Sequence, residues 1–132
     1  MSSSFNNSIH GKKEHTEKAI HDKQLVELLL ENKIFPDWVL TCSFYFALHC
    51  VDSHAHKLGI KSFEPGLNEN ISAHRKREIF VKRTLSREIF HWFKKLKDRS
   101  YQSRYDPKYF QLIPPTYPGQ LFGNIQCFLK LL

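Results

Sequence analysis

Apolar residues recur at helical spacing along most of the chain, and no stretch shows the strict alternation that is typical of a strand. The pattern predicts a first helix from about His15 to Lys33, with Thr16 as its N-cap. Phe35-Pro36 ends this helix, because the residue before a proline avoids the α region. A broad apolar stripe on this helix is predicted to pack, and it consists of Ile20, Leu25, Val26, Leu28, Leu29 and Leu30.

A second helix is predicted from Pro36 to about Leu58, and Gly59 is placed to end it. One face of this helix is aliphatic. The other face mixes aromatic and polar side chains, which indicates a helix that is contacted on both sides. This second face carries Trp38, Cys42, Tyr45, His49, Asp52, Ser53 and His56.

Two further helices follow a loop that contains Pro65-Gly66. The third is predicted from Ala73 to Arg83 and the fourth from about Arg87 to Arg104. Both are preceded by a serine, Ser72 and Ser86 respectively, whose hydroxyl is a good N-cap. The alternative is that the chain continues as one helix through Thr84-Leu85-Ser86, because no glycine or proline interrupts it.

The C-terminal part begins with four prolines within residues 107–118, which predict an extended loop along the surface. A last helix is predicted from Gly119 to Leu131. Amphipathic helices joined by short connections indicate an all-α fold, an up-and-down bundle of four main helices plus a short C-terminal helix.

A chain of 132 residues predicts a single domain. Residues 1–14 are polar and are expected to form a flexible tail, which leaves residues 15–132 as one helical domain. No apolar run is long enough to cross a membrane and no hydrophobic signal region is present, so we expect a cytoplasmic protein. The odd number of cysteines argues against a disulfide framework and predicts three buried thiols, Cys42, Cys50 and Cys127.

Positive charge is concentrated on the third and fourth helices. Between His74 and Arg104 lie 11 lysines and arginines against 3 acidic residues, a net charge of +8, whereas the whole chain carries +7. A one-sided basic surface favours a polyanionic partner, most often a nucleic acid. The alternative is a solvated helix face with no partner. The residues predicted to contact RNA or nucleotides are Arg75, Lys76, Arg83, Arg87, Lys94, Lys95 and Tyr105.

A histidine together with arginines has the chemistry needed to cleave RNA without a metal. Histidine is a general base near neutral pH, and arginine binds a phosphate in a fork. Either His49 or His74 is the candidate acid and base, with Arg77 and Arg104 on the phosphate. A capping and salt-bridge network around His74 and Arg77 is the structural alternative. We expect no metal and no cofactor, because two turns of one helix rarely supply three zinc ligands.

Three short motifs resemble those of small prokaryotic HEPN-like proteins, in order and spacing, over roughly residues 15–106. The first is Pro36-Asp37-Trp38 followed by Phe44 to His49 and Val51-Asp52, which is similar to the family's second helix. The second is Ser72 to Arg77, similar to an S-H-x-x-R helix start, and the third is Ser100 to Asp106, similar to an S-x-x-x-R-Y helix end. The resemblance implies a four-helix bundle, usually dimeric, linked to RNA cleavage or nucleotide binding in toxin–antitoxin or defence systems.

The chain departs from the signature of catalytic HEPN ribonucleases, which is an arginine, four to six residues and a histidine. Arg87 and His91 have three residues between them, and Arg83 and His91 have seven. Two functions therefore stay open. One is a module, expected to be a homodimer, that contacts RNA or nucleotides, with or without endoribonuclease activity. The other is a non-enzymatic homodimeric module that binds a protein partner, such as a nucleotidyltransferase-type antitoxin.

Overall fold

A computed structural model describes residues 11–129, in which six helices and no strands are found. The helices are α1 (Lys12–Asn32), α2 (Pro36–Lys57), α3 (Ala73–Thr84), α4 (Arg87–Tyr105), α5 (Tyr109–Leu112) and α6 (Tyr117–Leu129). The fold is an all-α bundle of four long helices with α3 and α5 as shorter additions, which confirms the predicted fold class. Among the same residues, no helix combines the length and apolar character that a bilayer crossing requires.

The central helix of the bundle is α2, which packs against α1, α4 and α6. It is buried on most of its circumference, and Leu40, Phe44 and Val51 are almost fully withdrawn from water. Aromatic rings make the main contacts across the core: the Phe44 and Phe93 centroids lie 5.7 Å apart, and those of Phe46 and Phe122 lie 5.5 Å apart. The prediction that α2 is contacted on both sides agrees with this burial.

The N-caps of α3 and α4 are the two predicted serines. The Ser72 Oγ accepts a hydrogen bond from the Arg75 backbone N–H at 3.1 Å, and the Ser86 Oγ accepts one from the Ile89 N–H at 3.1 Å. Each bond satisfies a donor that the first helical turn leaves without a partner. The break between α3 and α4 is therefore encoded locally, by Ser86 and the extended backbone of Leu85.

Helix α1 differs from its prediction at its start and on its outer face. It begins at Lys12 rather than His15, with Gly11 as N-cap instead of Thr16, so three residues of the predicted tail are helical. The rest of that tail, residues 1–10, lies outside the described residues. Half of the predicted apolar stripe is exposed in this chain, because only one side of α1 faces α2; the exposed members are Ile20, Leu25 and Leu28.

The proline-rich segment, predicted to be an extended loop, contains more regular structure than expected. It contains the single-turn helix α5, and Ile113 behind it is buried in the core. Helix α6 begins at Tyr117, two residues before the predicted start. Pro118 fits in its first turn because that position needs no backbone N–H. The predicted end at Leu131 lies outside the described residues.

Candidate nucleic-acid interface

A groove of about 550 Å³ opens between the start of α3 and the C-terminal half of α4, above the ring of Phe44. Two predicted catalytic residues, His74 and Arg104, come together in it from different helices. The groove also holds side chains that were not predicted as site residues: Lys97, Asp98, Arg99, Tyr101 and Gln102.

His74 stands at the first turn of α3, where the Ser72 cap fixes the backbone. Its ring packs on Phe44, with the two centroids 5.7 Å apart. The pKa of His74 is lowered from its ordinary value, first by partial burial and then by the positive charges of Arg77, Lys97 and Arg104. The imidazole is therefore neutral at pH 7, and a neutral imidazole can accept a proton.

Two arginines, Arg99 and Arg104, line the groove and supply positive charge to it. The Arg104 Nη1 donates to the Tyr45 hydroxyl at 2.7 Å, and the Arg99 Nε donates to the Tyr117 hydroxyl at 3.2 Å. These partners are neutral oxygen atoms, so the bonds orient both guanidinium groups without cancelling their charge. Neither arginine forms an ion pair within residues 11–129. An anion in the groove would meet two oriented cations, with the Asp98 carboxylate also in the groove and interacting electrostatically with Arg99.

Lys97 lies at the edge of the groove beside a buried carboxylate. Its ammonium group pairs with Glu78 of α3, whose side chain is only 3% exposed. The Arg75 Nη1 donates to the other oxygen of Glu78 at 3.1 Å. The two cations compensate the buried charge, and the pair of Lys97 with Glu78 connects α4 to α3. Arg75, predicted to contact nucleic acid, is therefore also a partner of a buried carboxylate on its own helix.

The other predicted catalytic arginine, Arg77, is not among the residues that line the groove. Its Nε and Nη2 donate to the two carboxylate oxygens of Asp52 at 2.8 and 3.0 Å, and both side chains are largely buried. Two of the five N–H donors of Arg77 are engaged in this fork, and the Asp52 carboxylate neutralises the charge that a phosphate would otherwise meet. The neighbouring Lys76 is held in a similar way by Glu69 at 2.9 Å. Around Arg77 the structure therefore contains the salt-bridge network that was the structural alternative.

His49 occupies a different place from His74. It lies half-buried between α1 and α2, where its Nδ1 is 3.1 Å from the Nδ1 of His15 and the two rings stack. At this contact one nitrogen must donate and the other accept. Burial first, and then the charge of His15, lower the pKa of His49. The groove residues and His49 are thus not one constellation, and of the two candidate bases only His74 lines the groove.

The outer face of α4 extends the groove toward the N-terminal end of that helix. A shallow depression there shares Asp98 and Arg99 with the groove, so the two surfaces are continuous. Three predicted contact residues line it: Arg87, Lys94 and Lys95. Lys94 lies 3.4 Å from Asp98, and Arg87 and Lys95 form no ion pair within residues 11–129. We call this surface, together with the groove, the basic face of α4.

The two remaining predicted residues lie at opposite ends of the α3–α4 unit. Arg83 is exposed in the last turn of α3, outside both surfaces. Tyr105 is exposed in the last turn of α4, and its ring centroid is 4.8 Å from that of Tyr101. Tyr101 and Lys97 could have been found from the sequence, because they share a helical face with Arg104 at intervals of three and four residues.

Within residues 11–129, no group of three or more histidine, cysteine, aspartate or glutamate side chains is arranged to hold a metal ion. The three cysteines are free thiols; Cys42 and Cys50 are half-buried, whereas Cys127 is exposed, so the prediction of three buried thiols is wrong for Cys127. Its position on the outer side of α6 explains the difference. Comparison of the chain with models of protein families, with curated proteins and with solved structures finds no match.

Proposed function

We propose that this chain is a cytoplasmic, HEPN-like RNA-binding module that holds the phosphate backbone on the basic face of α4. The observation that carries the proposal is the groove in which Arg99 and Arg104 are oriented by neutral hydroxyl groups beside a neutral His74. Phosphate contacts supply most of the affinity of such proteins, and arginine provides the best-matched donors. The continuous strip through Lys94 and Lys95 adds further phosphate contacts along the helix.

The test is RNA affinity measured as a function of salt concentration. For each tenfold increase in salt concentration, the logarithm of the binding constant for a single strand falls by about 0.7 per phosphate contact. Arg99→Ala and Lys95→Ala should each weaken binding and reduce that slope by about 0.7. Lys13→Ala is the matched control, because Lys13 is an exposed lysine on α1, away from the basic face. Affinity that does not change with salt contradicts the proposal.

The neutral imidazole of His74 favours a metal-independent cleavage step within the same proposal. In this step the His74 ring accepts the proton of a ribose 2′-hydroxyl, whose oxygen attacks the adjacent phosphorus. The bond between the phosphorus and the 5′-oxygen breaks, the 5′-oxygen takes up a proton from water, and a 2′,3′-cyclic phosphate is left, while Arg99 and Arg104 stabilise the charge that develops on the phosphate.

Cleavage is tested by incubating the protein with total RNA in EDTA, beside His74→Ala and His49→Ala. We expect His74→Ala to lose cleavage and His49→Ala to retain it, because only His74 lines the groove. Cleavage that survives in His74→Ala would remove the assigned role. An inactive wild type that still binds RNA in a salt-dependent manner would leave a binding module without the cleavage step.

A homodimeric or partner-binding module is the second candidate function, and an exposed apolar groove favours it. The groove, of about 770 Å³, lies where the end of α1 meets the start of α2 and the segment before α6. Ile34, which lines it, is 45% exposed. Exposed apolar surface of this kind is typical of protein contacts. Sedimentation of wild type and Ile34→Asp tests it: a dimer that dissociates in the variant supports this candidate, and a monomeric wild type excludes self-association through the groove.

A further inference from the structure

Two tyrosines at the C-terminal end of α4 lie in water beside the groove. Tyr101 is 61% exposed and Tyr105 is 66% exposed, although both are large aromatic residues in a chain with a well-filled core. They are four residues apart, on the same side of the helix, with their ring centroids separated by 4.8 Å and tilted by 49°. The pair therefore presents two aromatic faces at the surface, and Tyr101 also lines the groove.

The positive charge of Arg104 lies directly against this pair. Its guanidinium carbon is 5.5 Å from the centre of the Tyr105 ring and 5.7 Å from that of Tyr45. The hydrogen bond to the Tyr45 hydroxyl fixes the guanidinium in this position. A cation and exposed ring faces thus adjoin each other at one end of the basic face of α4. This is the combination that a nucleotide with an unpaired base requires, since its phosphate needs a cation and its base needs an aromatic face.

We propose that Tyr101 and Tyr105 form a platform on which bases of single-stranded RNA stack, so that unpaired RNA is the substrate class of this surface. The inference rests on the proposed function, because it requires the neighbouring groove to hold the phosphates. In a duplex the base faces are covered by their neighbours, whereas a single strand can turn its bases onto the protein. Since the two rings already touch each other, bases are received on their remaining exposed faces.

The experiment measures the affinity of the full chain for a single-stranded RNA of about 12 nucleotides, a length within the usual range of such sites. The same sequence paired with its complement is the comparison. Stacking of one base on one ring corresponds to an affinity change of about 5- to 150-fold. We expect the single strand to bind more tightly than the duplex, and Tyr101→Ala and Tyr105→Ala each to lose affinity for the single strand within that range.

Three control variants separate stacking from other effects. Tyr101→Phe keeps the ring and should retain wild-type affinity. Tyr101→Leu keeps the apolar contact without an aromatic face and should behave like Tyr101→Ala. Trp38→Ala removes an aromatic residue that is 52% exposed but does not line the groove, and it should have no effect on binding. Circular dichroism of each variant establishes that the helices are intact.

Failure of the inference can be told apart from failure of the proposed function. Salt-dependent binding with equal affinities for single strand and duplex, unchanged in Tyr101→Ala, overturns the stacking platform and leaves the phosphate groove in place. Equal losses in Tyr101→Phe and Tyr101→Ala also overturn it, because they assign the effect to the hydroxyl. Absence of binding to either RNA overturns both proposals together.

Discussion

The buried ion pair between Arg77 and Asp52 tests whether Arg77 stabilises the fold or binds RNA. The two side chains are 13% and 8% exposed, and two charged hydrogen bonds of 2.8 and 3.0 Å join them. Arg77→Ala would leave the Asp52 carboxylate buried without this partner, which costs about 3–5 kcal/mol. Because domains of this size are stable by about 5–15 kcal/mol, the variant should lose about a fifth or more of its stability.

Urea unfolding followed by circular dichroism measures this loss. With a slope of about 2 kcal/mol per molar urea, the midpoint should fall by about 2 M. Lys13→Ala is the control, because the exposed pair of Lys13 with Glu17 should contribute less than about 1 kcal/mol. The double variant Arg77→Met with Asp52→Leu removes both charges and should recover most of the stability.

The RNA affinity of the same variants decides whether Arg77 is structural or functional. The double variant should bind RNA with the same affinity as the wild type, because the Arg77 guanidinium pairs with Asp52 and does not line the groove. The reasoning is refuted if Arg77→Ala loses less than about 1 kcal/mol of stability and its RNA affinity falls tenfold or more. Arg77 would then be a phosphate ligand, as the sequence first indicated.

Three further predictions concern protonation, thiol reactivity and capping. The pKa of His49 is lowered in the folded state, so the unfolded chain binds more protons than the folded chain just below pH 6.5. The free energy of unfolding should therefore decrease as the pH is lowered from about 6.5 toward 5, and it should decrease less in His49→Gln. Urea unfolding at each pH measures both. Burial raises the pKa of Cys50 to about 12. A chromogenic disulfide reagent should therefore modify exposed Cys127 first and Cys50 only on unfolding. Rapid labelling of Cys50 in the native protein would contradict this. Ser72→Ala should cost about 1 kcal/mol and Ser72→Asp very little, and equal stabilities of the two variants would exclude the capping role.

The fold was largely predictable because local signals and periodicity agree over most of the chain. Ser72 and Ser86 cap the helices that they were predicted to cap, and Pro36 begins α2 as predicted. The errors arose where tertiary packing decides. Ile20 and Leu28 have the apolar character of core residues, yet they are exposed because the neighbouring helices cover only one side of α1. Pro118 was assigned to a loop although a first helical turn accepts proline.

The candidate site was predictable only in part, since sequence spacing shows which residues share a helical face but not which helices meet. His74 and Arg104 are 30 positions apart in the chain and line one groove, whereas His49, equally plausible by residue type, pairs with His15 of α1. Sequence spacing also does not show which acidic residues pair with the basic ones. Asp52 is on α2, and only the packing of α3 against it commits Arg77 to a buried pair.

The basic residues of α3 and α4 differ in their partners, which explains how so basic a segment forms part of a compact bundle. The cations of α3 mostly face acids: Arg75, Lys76 and Arg77 pair with Glu78, Glu69 and Asp52 respectively. Of these pairs only that of Arg77 with Asp52 joins α3 to another helix, and in each pair the acid offsets the charge of its cation. In α4, Lys97 pairs with Glu78 and Lys94 with Asp98, whereas Arg99 and Arg104 are oriented by tyrosine hydroxyls rather than by carboxylates. A polyanion would therefore meet the remaining cations of α4 together with exposed Lys82 and Arg83 at the end of α3. The net charge of +8 over residues 74–104 overstates the charge that is free to bind.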